Sequence, residues 1–320
     1  MSNPPRILVT RKLPAAVERR LSRDFDAKLN ETDSLLGSER ISELAAGCDG
    51  LLVSPTDDCG ADFISSLPDS VRIIATFSVG YDHIDLEAAR ARGLAVTNTP
   101  DVLTDATADL AMLLLLGAAR GAVWGLDMVR ERSWPVWSPT TPLGIDVTGR
   151  RLGILGMGRI GQAVARRARG FDMQIHYHNR KRLPAAEEAG AFFHEDIADL
   201  LAVSDFLSIN CALTPQTRHL INRENLARMP QGAIVINTAR GGIVDDEALI
   251  KALESGHIAA AGLDVFNNEP DIDPRYRKMD NVFCLPHLGS ATPHTRDAMG
   301  HRAVDNLQSF FAGRPPGDLL

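Results

Sequence analysis

The feature that most constrains the fold of this chain is a repeated alternation of short apolar, β-branched segments with helical patterns. In the first part of the chain the predicted strands are residues 7–10, 51–54, 71–77 and 94–97. Strands that alternate with helices pair in parallel, because each helix returns the chain to the same end of the sheet. This part therefore predicts an α/β domain with a parallel sheet.

The alternation is interrupted at Asn98-Thr99-Pro100-Asp101, where we place a domain boundary. Pro100 disfavours helix in the residue before it, and one long helical pattern then runs from about Thr104 towards Arg130. A second series of predicted strands follows at residues 152–155, 173–177, 206–210, 233–237, 258–263 and 282–285. Strands and helices in this number predict a complete doubly wound sheet of the dinucleotide-binding type. We expect the last helical pattern, residues 293–311, to pack on the first domain.

The composition limits the classes of partner. At about 150 residues per domain, a chain of 320 residues suggests two domains. The 34 Lys and Arg residues against 41 Asp and Glu residues give a net charge of −7. Such a chain lacks the positive field that binds nucleic acid. The four cysteines, Cys48, Cys59, Cys211 and Cys284, form no CxxC pair, which argues against a zinc knuckle or a secreted disulfide framework.

Targeting and membrane signals are also missing from the sequence. The N-terminus has no secretory pattern, and the longest apolar run, residues 110–119, is about half of the roughly 20 residues that a spanning helix needs. We therefore expect a soluble, cytoplasmic protein with no membrane and no nucleic-acid partner.

Residues 156–161, GMGRIG, have the spacing G-x-G-x-x-G. Chance alone gives such a match in roughly one of six chains with this glycine content, so its context must decide. The motif directly follows the predicted strand 152–155 and opens a predicted helix at 160–168, as a pyrophosphate loop requires. Gly156 allows the tight turn, Gly158 the close approach of backbone to phosphate, and Gly161 close helix packing.

The end of the next predicted strand carries Asn179-Arg180-Lys181-Arg182. NAD sites usually hold a carboxylate there, which would repel the 2′-phosphate of NADP, whereas a guanidinium binds that phosphate with a charge-assisted contact. The pattern favours NADPH over NADH. The alternative is a solvated basic run with no ligand.

Three later segments place Arg240, Glu269 and His287 after the carboxyl ends of predicted strands of one sheet. Ligands bind at this edge of open parallel sheets, so the three side chains can converge there. Such a set suits carbonyl reduction: His287 gives a proton to the developing alkoxide, Glu269 orients it, and Arg240 holds a carboxylate. Taken singly, each has another explanation, namely an arginine salt bridge, an exposed loop acid and a hydrogen-bonded core histidine.

The remaining histidines show no H-E-x-x-H or similar spacing, so we expect no metal. His176 and His178 alternate along a predicted strand and share a face. Two histidines without a third ligand make a metal site improbable.

Residues 133–139, SWPVWSP, form an irregular stretch with Trp134 and Trp137. Tryptophan in a proline-rich loop is typical of a lid or an interface anchor. A loop packed on its own domain is the alternative.

With these motifs the chain resembles the D-isomer-specific 2-hydroxyacid dehydrogenase family over nearly its whole length, and within it the glyoxylate/hydroxypyruvate reductases. The matching segments are residues 78–85, 98–100, 107–109, 156–161, 238–242, 261–266, 269–270 and 286–290. The resemblance implies a flavodoxin-like substrate domain, residues 1–100 plus 288–320, hinged to a Rossmann NADP-binding domain, residues 101–287. It also places the catalytic triad of the family on Arg240, Glu269 and His287.

The resemblance further implies substrate contacts at the backbone of Val79 and Gly80 and at Arg240. It implies a homodimer in which Trp137 restricts substrate size. Cofactor contacts would fall on Thr107, Gly156, Gly158, Arg159, Ile160, Gly161, Asn179, Arg180, Lys181, Cys211, Thr217, Thr238, Ala239, Asp264 and Gly289. Among these, Asp264 would bind the carboxamide and Cys211 would be a wall residue rather than a nucleophile.

The function expected from these features is NADPH-dependent reduction of small 2-keto acids, glyoxylate to glycolate and hydroxypyruvate to D-glycerate, with NADH as a second cofactor. The enzymatic alternative is another 2-keto acid, such as 2-ketogluconate or a longer-chain acid. A non-catalytic, nucleotide-sensing scaffold would use the same fold.

Overall fold

The computed structural model of the protein describes residues 3–320. They divide into two compact units, one running up to Leu103 and resuming at Ser290–Leu320, the other formed by Thr104–Gly289. The sequence places these boundaries after residues 100 and 287. Each unit contains one parallel sheet with helices, so the predicted α/β class with two doubly wound sheets is confirmed.

The sheet of the first unit has five parallel strands in the order β2-β1-β3-β4-β5. They are β1 Arg6–Val9, β2 Asp26–Lys28, β3 Gly50–Val53, β4 Ile73–Thr76 and β5 Ala95–Thr97. The sequence does not predict β2, because this edge strand has three residues, Asp-Ala-Lys, and none of them is buried. Short polar edge strands lack the apolar pattern by which strands are recognised.

The helices between these strands cover the sheet. They are α1 Ala15–Asp24, α2 Ser38–Leu44, α3 Ala61–Ser66 and α4 Leu86–Ala91. Strands β3 and β4 are buried along their whole length, as expected for parallel strands with both faces covered.

The helix predicted from Thr104 towards Arg130 is in fact two helices, so the prediction of one is wrong. α5 is Thr104–Ala119 and α6 is Ala122–Arg130, and the second is bent by 68° from the first. Gly121 between them has φ +64, and a Cβ there would collide with the indole of Trp124. Within residues 3–320 no single helix has the length and apolarity to cross a membrane; α5 and α6 meet that test only as a bent pair.

The sheet of the second unit has seven parallel strands in the order β12-β11-β10-β9-β6-β7-β8. They are β6 Arg151–Leu155, β7 Gln174–His178, β8 Phe192–Phe193, β9 Phe206–Ile209, β10 Ala233–Asn237, β11 Ile258–Leu263 and β12 Val282–Cys284. The helices are α7 Arg159–Ala168, α8 Ala185–Glu188, α9 Ile197–Val203, α10 Arg223–Arg228 and α11 Asp246–Glu254. The two-residue edge strand β8 is too short to have been predicted.

This sheet has an apolar core on each face. In β10 the alternate residues Ile234 and Ile236 lie in the core that includes α5 and α7, while Val235 lies in the core that includes α11. Because both faces are covered, the strands bury their apolar residues and place polar side chains at the strand ends. That arrangement positions the candidate site at one edge.

The last helix, α12 Pro293–Phe311, belongs to the first unit. Gly300 lies against Val17 of α1. Asn306 donates from Nδ2 to the Asn98 carbonyl at 3.0 Å, and Arg302 pairs with Asp318 at 2.6 Å. The C-terminal helix is therefore joined to the N-terminal sheet by both packing and hydrogen bonds.

Candidate active site

The glycine loop after β6 leaves one position open for a ligand. Gly156 has φ +94, and a Cβ there would lie 2.6 Å from the backbone nitrogen of Cys211. A Cβ on Gly161 would collide with the carbonyl of Gly156, whereas a Cβ on Gly158 would meet nothing within 4 Å. The open space at Gly158, at the N-terminus of the ten-residue helix α7, fits a dinucleotide pyrophosphate.

Asn179, directly after β7, braces this loop. Its Oδ1 accepts a hydrogen bond from the backbone N–H of Met157 at 2.7 Å. The sequence places Asn179 at the cofactor but does not predict this contact. An uncharged side chain at that position can hold the loop without repelling a phosphate.

The two cations that follow Asn179 differ in their contacts from the third. Arg180 and Lys181 are exposed, and neither side chain has a hydrogen bond or ion pair with any residue in the described part of the chain. Arg182 instead forms two hydrogen bonds with Glu188, at 2.7 and 3.0 Å. Arg180 and Lys181 thus remain available to an anionic ligand.

Buried polar atoms without partners lie after β9 and β10. Oδ1 of Asn210 and Oγ1 of Thr238 are inaccessible, and neither has a hydrogen-bond partner among residues 3–320. A buried polar atom without a partner costs free energy, and the hydroxyls of a bound nucleotide would supply such partners. Both atoms therefore support a polar ligand at this edge. The sequence analysis includes Thr238 among the cofactor contacts but not Asn210, whose signal is a polar residue directly after a buried strand.

Cys211 and Thr217 lie in the loop after β9. Burial raises the pKa of the Cys211 thiol to about 11, so it is protonated at neutral pH and is not a nucleophile. Oγ1 of Thr217 donates to the Ala212 carbonyl at 2.7 Å and accepts from the Thr214 N–H at 2.8 Å. Thr217 therefore orders its own loop, and its contact with a cofactor stays a prediction.

The side chains of His287 and Glu269 are in direct contact. Nδ1 of His287 lies 2.7 Å from Oε2 of Glu269, and the other oxygen, Oε1, accepts from the Phe266 N–H at 2.7 Å. An ionised carboxylate only accepts, so Nδ1 carries the proton and Nε2 is left for a substrate. The side chains are 45% and 32% exposed, so a ligand can reach them.

The charge state of Glu269 follows from its surroundings. Burial by itself would raise the pKa of this carboxyl, but the hydrogen bond and charge of His287, the Phe266 N–H and the positive charge of Arg240 together hold the pKa below its ordinary value. Glu269 is therefore ionised at neutral pH and stabilises a protonated imidazole.

Arg240 lies on a turn that Asn237 holds. Oδ1 of Asn237 accepts from the Ala239 N–H at 3.0 Å, and its Nδ2 donates to the Arg240 carbonyl at 2.9 Å. A side chain at Gly241 would collide with the backbone of Phe266, so this turn packs tightly on the segment that carries Glu269. The sequence did not single out Asn237; its signal is a polar residue, 1% exposed, at the end of an apolar strand.

Asp264 and Thr107 fix the backbone that follows His287. The two oxygens of Asp264 accept from the N–H groups of Leu288 and Gly289, at 2.6 and 2.8 Å, and Oγ1 of Thr107 donates to the Gly289 carbonyl at 3.1 Å. His287 itself has φ +55, a conformation that few non-glycine residues adopt without such support. Burial raises the pKa of Asp264 to about 6. Contact of Asp264 with a carboxamide stays a prediction.

In the first unit, the loop at Val79 and Gly80 presents backbone donors. Asn98 donates to the Val79 carbonyl at 2.8 Å, and Oγ of Ser78 donates to the Gly80 carbonyl at 2.6 Å. The amide N–H groups of Val79 and Gly80 donate to no group within residues 3–320. Two free amides on a loop held through its carbonyls can bind a carboxylate.

The tryptophan loop is not packed on its own domain. Trp134, Val136 and Trp137 are 69%, 92% and 80% exposed, which excludes a loop packed on its own domain.

His176, one of the two histidines that alternate along β7, contacts a third histidine: its Nδ1 lies 2.9 Å from Nε2 of His194. No set of three or more His, Cys, Asp or Glu side chains among residues 3–320 is arranged to hold a metal ion.

A parallel sheet with a glycine loop at its carboxyl edge, together with Arg240, Glu269 and His287 at the same edge, defines a nicotinamide-dependent dehydrogenase. The family model described as D-isomer specific 2-hydroxyacid dehydrogenase, NAD binding domain, matches residues 112–289. The chain belongs to the D-isomer-specific 2-hydroxyacid dehydrogenases and is an oxidoreductase with a nicotinamide-nucleotide-binding domain. The resemblance found in the sequence is confirmed.

Similar proteins cover nearly the full length. The chain is 44% identical to a glycerate dehydrogenase of Hyphomicrobium methylovorum, over 96% of each chain. It is 43% identical to a glyoxylate reductase of Korarchaeum cryptofilum, over 99% of this chain and 96% of the other. Among solved structures, an NADPH-dependent glyoxylate/hydroxypyruvate reductase of Sinorhizobium meliloti in complex with NADP and malonate superposes with a TM-score of 0.90 at 35% identity, over 99% of this chain and 97% of the other.

Proposed function

We propose that this protein is an NADPH-dependent reductase of small 2-keto acids, converting glyoxylate to glycolate and hydroxypyruvate to D-glycerate. The observation that carries the proposal is the 2.7 Å contact between His287 Nδ1 and Glu269 Oε2, with the charge of Arg240 beside it. This set provides a proton donor and an anion anchor at the edge where the glycine loop lies. Relatives named as glyoxylate reductases and glycerate dehydrogenase support the substrate class.

In the proposed mechanism each side chain of the set has one task. Arg240 binds the substrate carboxylate and polarises the keto oxygen, and the N–H groups of Val79 and Gly80 stay predicted substrate contacts. NADPH, when bound, supplies the hydride that adds to the keto carbon. Nε2 of His287 gives its proton to the oxygen, and Glu269 stabilises the imidazolium before transfer. One keto acid, one NADPH and one proton thus give one 2-hydroxy acid and NADP⁺.

The residues that would hold the cofactor fit a dinucleotide. The open face at Gly158 and the N-terminus of α7 would bind the pyrophosphate, and Arg180 with Lys181 would bind the 2′-phosphate of the adenosine. Two exposed cations without partners and no carboxylate at the end of β7 favour NADPH, with NADH as the weaker cofactor. The solved relative in complex with NADP supports this preference.

We also propose that the protein is a cytoplasmic homodimer that uses the loop with Trp134 and Trp137. Exposed tryptophans on an irregular segment are typical of interface anchors. In such a dimer Trp137 would restrict the size of the substrate.

The test is the initial rate of NADPH and NADH oxidation with glyoxylate, hydroxypyruvate, pyruvate and 2-ketogluconate in parallel. The proposal expects the highest kcat/KM with NADPH and the first two acids. Faster turnover of 2-ketogluconate would reassign the substrate. Tight NADPH binding with no turnover of any acid would contradict the enzymatic proposal and favour a nucleotide-sensing scaffold.

A further inference from the structure

A closed hydrogen-bond network lies behind the basic loop that follows β7. The hydroxyl of Tyr177, a fully buried residue, donates to Oε1 of Glu188 at 2.6 Å and accepts from the Leu183 N–H at 3.1 Å. Nε and Nη2 of Arg182 bind the two oxygens of the same carboxylate at 2.7 and 3.0 Å. Glu188 and Tyr177 thus join the strand to Arg182 and Leu183, the fourth and fifth residues of the loop that begins at Asn179.

The network joins a buried carboxylate to an exposed guanidinium, because the Glu188 side chain is 9% and the Arg182 side chain 64% exposed. Glu188 is 7% exposed, and its hydrogen bonds to Arg182 and Tyr177 lower its pKa to about 2, so it is ionised at neutral pH. The guanidinium of Arg182 also lies 5.8 Å from the ring centroid of Phe193. A bidentate hydrogen bond to an ionised carboxylate fixes the orientation of a guanidinium as well as its position.

The loop is therefore held at both ends and free only in its middle. At the start, Asn179 is held by Met157 at 2.7 Å; at the other end, Arg182 and Leu183 are held by Glu188 and Tyr177. Arg180 and Lys181 lie between these anchors. Of three consecutive cations, one is neutralised by a carboxylate and two are presented to solvent.

We propose that Glu188, together with Tyr177, is a positioning residue that sets the preference for NADPH, by holding Arg182 out of the phosphate site and fixing the backbone from which Arg180 and Lys181 reach the 2′-phosphate. The proposal rests on the NADPH preference proposed above. It assigns to Arg182 an anchoring role rather than a phosphate contact. Neither Glu188 nor Tyr177 touches the reacting atoms.

The test compares KM for NADPH and NADH in the wild type, Glu188→Gln and Tyr177→Phe, with glyoxylate saturating. Each variant removes one part of the network with little change in volume, and Tyr177→Phe changes no charge. We expect KM for NADPH to rise about tenfold, the loss of roughly one oriented charge-assisted contact, while KM for NADH and kcat change less than twofold. Binding of 2′-AMP, which carries only the 2′-phosphate, should weaken in parallel with KM for NADPH.

Thermal unfolding of each variant separates positioning from general instability, because a merely destabilised protein would lose both cofactors alike. Arg180→Ala is the reference for a direct phosphate contact. If the wild type shows no NADPH preference, the proposed cofactor fails first. If the wild type prefers NADPH and Arg180→Ala abolishes that preference, but Glu188→Gln and Tyr177→Phe leave it unchanged, only the positioning role is overturned. Tighter NADPH binding in Glu188→Gln would also overturn it, since the carboxylate would then act only as a repulsive charge.

Discussion

The carboxyl ends of β10, β11 and β12 and the carboxyl end of β7 belong to one sheet but are built in opposite ways. At the carboxyl ends of β10, β11 and β12, both terminal polar atoms of Glu269, Asp264 and Asn237 form hydrogen bonds to neighbouring groups. At the carboxyl end of β7, Arg180 and Lys181 project without partners from a loop that is anchored on either side. The comparison teaches that the groups proposed to react are held by hydrogen bonds within the protein, whereas the cations proposed to bind the 2′-phosphate are left unpaired.

The largest expected effect tests whether the residues at the carboxyl ends of β10, β11 and β12 carry out the reaction. Replacing His287 with Ala should lower kcat about 10³-fold, the usual contribution of a general acid, because no other group would donate a proton to the alkoxide. The dissociation constant for NADPH, measured by fluorescence titration, should change less than twofold. An equal loss of turnover and NADPH affinity would show that His287 holds the cofactor instead.

The next effect concerns the partner of that histidine. Glu269→Gln keeps the shape of the side chain but removes the charge, and kcat should fall about 10²-fold. The wild-type carboxyl has a lowered pKa, so its contribution persists as pH falls through the mildly acidic range. The loss of kcat in the variant should therefore have the same size at neutral and at mildly acidic pH, because the wild-type carboxylate is ionised at both. A kcat equal to that of the wild type would contradict the pairing.

At the other end of the comparison, Arg180→Ala should raise KM for NADPH about 30-fold, as expected for a lost charged hydrogen bond, and leave KM for NADH within twofold. Arg182→Ala is the matched change two residues along the same loop, and it should raise KM for NADPH less because Arg182 is already paired with Glu188. If both variants raise KM for NADPH relative to KM for NADH by the same factor, the distinction between anchored and free cations fails.

The smallest effect is on stability. The folded pKa of Asp264 is about 6, above the value of about 3.9 in an unfolded chain. The folded protein then binds more protons than the unfolded one between these values, so the free energy of unfolding decreases as pH rises from about 4 to 6, by about 1–2 kcal/mol. Urea titration across this range should show the slope in the wild type and not in Asp264→Asn. Equal slopes would mean that Asp264 is ionised in the folded protein.

The sequence predicts the candidate site residues better than it predicts the residues that hold them in place. The glycine loop and the positions of Arg240, Glu269 and His287 follow from strand periodicity, because parallel strands deliver their carboxyl ends to one edge. Their roles remain proposals.

The supports depend on tertiary contacts that periodicity does not encode. The hydrogen bond from Met157 to Asn179 and the two hydrogen bonds accepted by Asp264 join segments more than 20 residues apart. The network around Glu188 joins nearer residues, but across a loop that has no periodic pattern. The edge strand β2 and the break at Gly121 were missed for a related reason: three polar residues have no pattern, and an isolated glycine within an apolar helical run is a weak signal.

The most direct test of the central claim is the fate of label from NADPH that carries deuterium at both C4 positions of the nicotinamide, during reduction of hydroxypyruvate. The account predicts D-glycerate with deuterium at C2, at a rate that falls with the loss of His287 while transfer remains stereospecific. L-glycerate as product, or D-glycerate without deuterium, would contradict it.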